Sequence, residues 1–403
     1  MHKTHTILTT CLVIVACFSF SAQAQTEKSL PAHFNGITLD AAQELLGTSD
    51  LSCKQRQALE SLTAPTIVRV VFDANTEPGE YTEALKYLRS LKLPNGDRKI
   101  FVMGELLDSD YLAQYRWECK RSEGCTFGEE GESFHDYKTR INSYLEALHE
   151  PVDIWEVGNE VNGEWADEGC VKKVNRDGTD GGCFSDVKEE EDERGNKRKS
   201  RPKRDITAKK IAYAVQQASK KNKPIALTLM HQPECTTWDK NAMFDWATQR
   251  LRPLINAYRI DYLLISYYED NCDDGLNTTV PEERLSPEER RLPEKQKEQR
   301  RRDIYWTDTF EKLEKLFSNV QHIGFGEVGY SSDMKTCEMG DVMSFCRDGK
   351  RPVMGSKETL LNRYYGMTVK NPKYVGGHFW WTAQEDITYP AFLTKLKGYW
   401  KKS

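Results

Sequence analysis

The sequence predicts an α/β fold of the (β/α)8 barrel type, and three observations carry that expectation. Eight short apolar and β-branched runs recur along the chain, stretches with helical spacing separate them, and the 403 residues exceed the roughly 250 that such a barrel needs. Runs alternating with helical stretches are the pattern of repeated βα units around a parallel sheet. At roughly 150 residues per domain the length alone would also admit two or three modest domains. Eight repeated units favour one large core instead.

The strand-like runs lie at 34–39, 66–72, 99–104, 152–158, 224–230, 262–267, 322–326 and 377–381. Helices are expected between them at 41–62, 80–93, 131–149, 206–222, 240–258, 304–318 and 356–370. Tyr81, Leu85 and Leu88 recur at spacings of four and three, as do Phe310, Leu313 and Phe317 at three and four, so each set lines one helical face and belongs to the core. Loops in compact domains usually run two to six residues. Here the loops after strands four, six and seven run over about 161–206, 268–303 and 328–356. All three follow a strand, which in a barrel places them on the C-terminal face, where active sites of this architecture lie.

The first 24 residues read separately. His2 and Lys3 precede an apolar stretch from Ile7 to Phe20, and Ser21-Ala22-Gln23-Ala24 supplies the small-x-small pattern of signal-peptide cleavage. Cleavage is expected after Ala24, leaving 25–403 as a single catalytic domain that is secreted or periplasmic. A rival reading places a lipid anchor on Cys17. The apolar stretch falls short of the ~20 residues of a membrane span, so no stable span is expected.

Composition narrows the class. Hydrophobic residues make up 38% and charged residues 30%, with a mean hydropathy of -0.69, which describes a globular core under a very polar surface. Lys and Arg number 57 against 62 Asp and Glu, a net charge of -5, so the basic excess of a nucleic-acid binder is missing. Cleavage after Ala24 would remove two of eleven cysteines and leave an odd number. In an oxidising compartment, Cys119 with Cys125, Cys170 with Cys183 and Cys337 with Cys346 are the near couples, and Cys235 with Cys272 a cross-loop one. Cys53 is then the odd thiol. No CxxC pair or HExxH helix suggests a metal, and no cofactor is expected.

The charged insertions 187–204 and 281–303 read first as solvated loops or an exposed helix laced with ion pairs, and second as a cationic rim for acidic glycans. Asn277-Thr278-Thr279 matches a glycosylation sequon, but the bacterial look of the signal peptide makes the match fortuitous.

The chemistry lies at two strand ends. In Trp155-Glu156-Val157-Gly158-Asn159-Glu160, a β-rich run closes on an amide beside a carboxyl group. An acid must be held near a glycosidic oxygen to protonate it, and a neighbouring amide can donate to the sugar 2-hydroxyl as an oxocarbenium-like transition state develops. The matching carboxylate is Glu327, in Gly324-Phe325-Gly326-Glu327-Val328-Gly329-Tyr330 on the seventh run, with glycines that let substrate approach closely. Strands four and seven face each other across a barrel. Two such carboxyl groups about 5 to 5.5 Å apart give a retaining mechanism through a covalent glycosyl-enzyme.

With these two motifs the chain resembles the clan A retaining glycoside hydrolases, in which the acid/base follows an Asn at the end of strand four and the nucleophile ends strand seven. Trp-Glu-x-x-Asn-Glu at Trp155 to Glu160 looks like family 5 members, while Gly158-Asn159-Glu160-Val161 and Gly326-Glu327-Val328-Gly329-Tyr330 are similar to family 17 β-glucanase motifs. Val328 and Tyr330 depart from the Glu-Thr-Gly-Trp of the latter, so the family stays unassigned. The resemblance implies further site residues. Arg69 matches the second-strand arginine that supports the nucleophile, and Tyr267 or Tyr268 the strand-six phenol beside it. Trp380 or Trp381 supplies the indole floor of the reacting-sugar subsite, and only one can, because adjacent strand residues face opposite ways. His231, ending strand five, would line the same subsite.

Around these, Glu105 and Asp73 read as subsite groups or loop caps, Glu156 as a buried partner for Arg69 or a lysine, and Glu164 as a reserve acid. The function expected is a secreted, monomeric, retaining O-glycoside hydrolase of a β-linked polysaccharide or oligosaccharide, with Glu160 as acid/base and Glu327 as nucleophile. A non-catalytic glycan-binding barrel and a transglycosylase that remodels surface glycans are the alternatives. Specificity would lie in the three long loops.

Overall fold

The computed structural model describes residues 30–106, 108, 133–163, 206–231, 242–268, 280–317, 319–329, 357–381 and 383–400, and the backbone of eight short strands between these segments. Eight parallel strands close into a barrel. They are β1 (Phe34–Leu39), β2 (Thr66–Val71), β3 (Ile100–Glu105), β4 (Ile154–Glu156), β5 (Ile225–Met230), β6 (Tyr262–Tyr267), β7 (His322–Val328) and β8 (Gly376–Trp380). Each pairs with its sequence neighbours, and β8 returns to β1 with Phe34 opposite Gly376. All eight coincide with the predicted runs to within two residues. Strands sheathed on both faces must be apolar nearly throughout, and β2, β3, β5 and β6 are buried at every position.

A helix follows each strand: α1 (Asp50–Glu60), α2 (Pro78–Ser90), α3 (Phe134–Ala147), α4 (Ile206–Ser219), α5 (242–255, with a π-helical stretch at Ala247–Leu251), α6 (Glu294–Glu314), α7 (Lys357–Tyr365) and α8 (Pro390–Trp400). Local chemistry sets their starts. Ser49 Oγ accepts from the Ser52 amide at 3.0 Å at the head of α1, and Ser133 Oγ accepts from Asp136 at 3.1 Å at the head of α3. Glu77 and Glu80 form a capping box before α2, with Pro78 at its first position. Tyr81, Leu85, Leu88, Phe310, Leu313 and Phe317 are buried against the barrel, as their spacing predicts.

Long segments follow β4, β6 and β7, as expected, and the segment from β3 to α3, 106–133, is also long. The sixth is shorter than predicted, because α6 begins at Glu294 rather than 304. Its charges pair among themselves. Arg301 meets Glu294 at 2.9 Å, Arg300 meets Asp303 at 3.1 Å, and Arg284 meets Asp308 at 2.8 Å. This is the ion-pair-laced helix of the first reading.

The signal-peptide segment 1–24 with Cys17, the sequon at Asn277, Glu164, and the side chains of the insertion 187–204 and of the six mature-chain cysteines proposed as near couples lie outside what is described, as do Cys235 and Cys272. Cys53 carries a free thiol, half-buried, which accepts from Arg56 Nη2 at 3.2 Å. Among the described residues no helix is long and apolar enough to cross a membrane.

Candidate active site

Inward-facing side chains at the C-terminal ends of the strands build one polar layer around Arg69. This arginine projects from β2 into the barrel with no exposed surface. Its Nε donates to Glu105 Oε2 at 2.7 Å and lies 3.2 Å from Glu156 Oε2. Its Nη2 donates to Glu327 Oε2 at 2.9 Å, and its Nη1 to the Gly326 carbonyl at 2.7 Å. Burial alone would lower the guanidinium's proton affinity, but the three carboxylates outweigh that and hold it well above its ordinary value. Glu105 and Glu156, weighed in the sequence as a subsite group and a buried partner, are both partners of this cation.

Glu327 ends β7 with both oxygens engaged. Asn159 Nδ2 donates to Oε2 at 2.8 Å, beside Arg69, and the Tyr268 hydroxyl donates to Oε1. Burial first, then the charge of Glu327, pushes the Tyr268 phenol well up, so it remains a donor at neutral pH. The Trp381 ring lies against the guanidinium, 5.4 Å from its carbon to the ring centroid.

Glu160 follows β4 in a different setting. Its φ of 46° is left-handed, unusual for a residue with a side chain, and such conformations cost of order 1–3 kcal/mol and cluster at functional sites. The surrounding turn holds it there. The Gly163 amide donates to the Glu160 carbonyl at 2.8 Å, while Asn162 clasps Met230 with a bond to its carbonyl at 2.8 Å and one from its amide at 2.7 Å. Ser266 Oγ donates to Glu160 Oε1 at 2.5 Å. Burial, reinforced by the negative charge of Glu327, raises the Glu160 carboxyl well above the usual range; the Ser266 bond and Arg69 oppose this without reversing it. One carboxylate therefore has three donors, one of them cationic, and the other favours its protonated form.

Three predicted site residues face the opposite way. His231 turns into the helical layer: its Nε2 pairs with the Tyr305 hydroxyl on α6 at 2.8 Å, and its ring packs against Tyr305, Phe244 and Trp306. Burial lowers its pKa to about 3, with Lys312 adding to the effect, so it is a neutral core histidine rather than a subsite wall. Tyr267 packs edge-on to Trp306 at 4.9 Å, outside the barrel. Trp380 is buried against Phe392 and donates through Nε1 to Asp386 at 2.7 Å. The reason in each pair is strand alternation: Tyr268 and Trp381 point in, so Tyr267 and Trp380 point out. Asp73 caps a turn, accepting from the Asn75 amide at 2.7 Å.

Ser266, Thr228 and Asn162 enter the site without having been singled out in the sequence. Ser266 was accessible in principle, because it shares strand parity with Tyr268. Thr228, whose hydroxyl donates to Glu156 Oε1, and Asn162 act across 72 and 68 residues, separations that leave no local signal.

No protein-family model matches the chain, and neither does any curated protein. Among solved structures, the chain is similar to a family 1 β-glucosidase from Thermotoga maritima, with 11% identity over 92% of this chain and 98% of that one and a TM-score of 0.47. It is also similar to a psychrophilic family 10 endo-β-1,4-xylanase, with 12% identity over 91% and 96% and a TM-score of 0.43. A broad-specificity endoglucanase of family 5 from an uncultured bacterium aligns with 10% identity over 92% and 94% and a TM-score of 0.46.

Proposed function

We propose that this chain is a retaining O-glycoside hydrolase of clan A type, acting without a cofactor on a β-linked polysaccharide or oligosaccharide outside the cytoplasm. The observation that carries the reading is the unequal setting of two carboxyl groups on opposite strand ends. Glu160 is desolvated, raised in pKa and held by one hydroxyl, while Glu327 receives Arg69, Asn159 and Tyr268. Pairs of titratable groups with divergent environments divide acid and nucleophile roles between them.

In the first step the Glu327 carboxylate attacks the anomeric carbon as Glu160 delivers its proton to the departing glycosidic oxygen, leaving a glycosyl ester on Glu327. In the second, Glu160, now a carboxylate, takes a proton from water as the water oxygen displaces Glu327. Asn159 Nδ2 gives one N–H to Glu327 and keeps a second for the sugar, as the sequence reading expected. Its Oδ1 has no donor among the described residues and suits the sugar 2-hydroxyl as an acceptor. Trp381, fixed against Arg69, suits the floor of the reacting-sugar subsite.

The test is a pair of variants on an aryl β-glycoside panel. Glu327→Ala should abolish turnover, and Glu160→Ala should retain slow turnover that azide accelerates, yielding a glycosyl azide of the substrate's own anomeric configuration. Full activity in both variants, or a first product of inverted configuration from the wild-type protein, would overturn the reading.

A further inference from the structure

Two carboxyl groups next to Glu327 take no part in that mechanism. Glu105 ends β3 and Glu156 ends β4, and the two are register partners on adjacent parallel strands. Both side chains are fully buried, and both turn an oxygen to the same nitrogen, Arg69 Nε, at 2.7 Å and 3.2 Å. Thr228 donates to Glu156 Oε1. Among the described residues no hydrogen bond satisfies Glu105 Oε1 or Glu156 Oε2.

Two ionised carboxylates in that geometry would be costly. An unsatisfied buried acceptor is destabilising, and more so when charged. Two like charges converging on one N–H add their repulsion. Even with Glu160 protonated, Glu105, Glu156 and Glu327 would set three buried negative charges against the one guanidinium of Arg69. One proton between Glu105 and Glu156 removes a charge and supplies the missing donor at once.

We propose that Glu105 and Glu156 hold one proton between them and act as a positioning pair, so that the Nη2 end of Arg69 stays committed to Glu327. The groups facing the pair agree with this. Asp108 after β3 and Glu327 on β7 are acidic, Thr228 on β5 is neutral, and Arg69 on β2 is the one cation among those named. Burial, the largest influence, raises both carboxyls, Arg69 opposes it, and the net direction for both is upward, to about 7 for Glu156. The proton belongs to the pair, which titrates as a unit. The consequence for catalysis rests on Glu327 being the nucleophile; the shared proton does not.

Infrared spectroscopy tests the pair without turnover, so a failed hydrolase reading would leave its result intact. In the Glu160→Gln protein at neutral pH, a neutral-carboxyl C=O band should shift when glutamate is 13C-labelled, which separates it from buried aspartic acids. Adding either Glu105→Gln or Glu156→Gln should abolish that band, because the remaining carboxyl then has the Arg69 Nε–H to itself. A missing glutamate band in the Glu160→Gln protein, or a band that survives either addition, overturns the proposal. Should the doubly substituted proteins fail to fold, neutron diffraction from the Glu160→Gln protein decides. Deuterium between the two carboxyls is expected, and its absence from both overturns the pair.

Discussion

Asn159 and Glu327 meet across 168 residues of sequence, the amide Nδ2 donating at 2.8 Å to the same oxygen that Arg69 Nη2 reaches at 2.9 Å. The contact links the two strand ends and aims one carboxylate oxygen. The other, Oε1, is held by Tyr268. Removing a preorganised donor at a reacting centre typically costs about 100-fold or more in rate. Asn159→Ala should therefore lower kcat/KM by roughly 100-fold with little change in melting temperature, and Asn159→Asp should be worse, since it places a second negative charge against Glu327. Steady-state kinetics on an aryl glycoside alongside thermal melts would check this; a loss confined to stability would refute it.

The two adjacent tryptophans should separate cleanly. Trp381→Ala is expected to raise KM and lower kcat while leaving stability nearly intact, because its ring lies over the Arg69 guanidinium on the site side. Trp380→Phe is expected to do the reverse. It strips the Nε1 donor from buried Asp386, a loss of roughly 1–3 kcal/mol, with kcat unchanged in the folded fraction. Urea unfolding and kinetics on both variants read the two effects independently, and equal stability losses would contradict the opposed orientations.

That pair also marks how far the sequence could be read. The barrel and its two carboxylates were legible because each signal is local: apolar runs of strand length, and Glu160 and Glu327 at two run ends beside glycines. Strand phase was not. Nothing local says whether Tyr267 or Tyr268 faces inward; an independent inward anchor, here Ser266, is needed. His231 looked like a subsite residue because it is polar and ends a strand, yet its partner Tyr305 lies 74 residues away on α6. Arg69 was legible through the resemblance, as its second-strand arginine, whereas the number of carboxylates around it depends on the closure of β3, β4 and β7 around β2.

Stability should depend on pH through the Glu105–Glu156 pair. Burial raises both carboxyls of the pair above the unfolded value of about 4.3, Glu156 to about 7, so the folded protein binds the shared proton more tightly. The associated stability is fully present below the unfolded value and is lost as pH rises through the folded one. Glu156→Gln, which leaves Glu105 as the one carboxyl on the Arg69 Nε–H, should gain relative to wild type as pH rises from about 4.3 to about 7. Denaturant unfolding of both proteins across that window measures the difference. A stability gap independent of pH would remove Glu156 as its source.

Gly326 immediately precedes Glu327, and the space beside it is already taken. A Cβ there would stand 2.2 Å from Thr228 Oγ1 and 2.9 Å from Leu264 Cβ, distances that no side chain tolerates. Thr228 is β-branched on a barrel strand, with its hydroxyl committed to Glu156, so it cannot swing aside without breaking that bond. The strand must shift instead, moving the Gly326 carbonyl that Arg69 Nη1 grips at 2.7 Å and the carboxylate one residue on. Gly326→Ala should therefore cost about 1–3 kcal/mol and reduce kcat in the surviving folded protein. Gly398→Ala supplies the contrast: this glycine lies within α8, and a Cβ added to it would meet nothing within 4 Å, so the same substitution should stabilise by about 0.5–1 kcal/mol and leave kinetics unchanged. Melting temperatures of the two variants should move in opposite directions while only Gly326→Ala loses kcat, and a neutral Gly326→Ala would mean that β7 does not approach Thr228 closely.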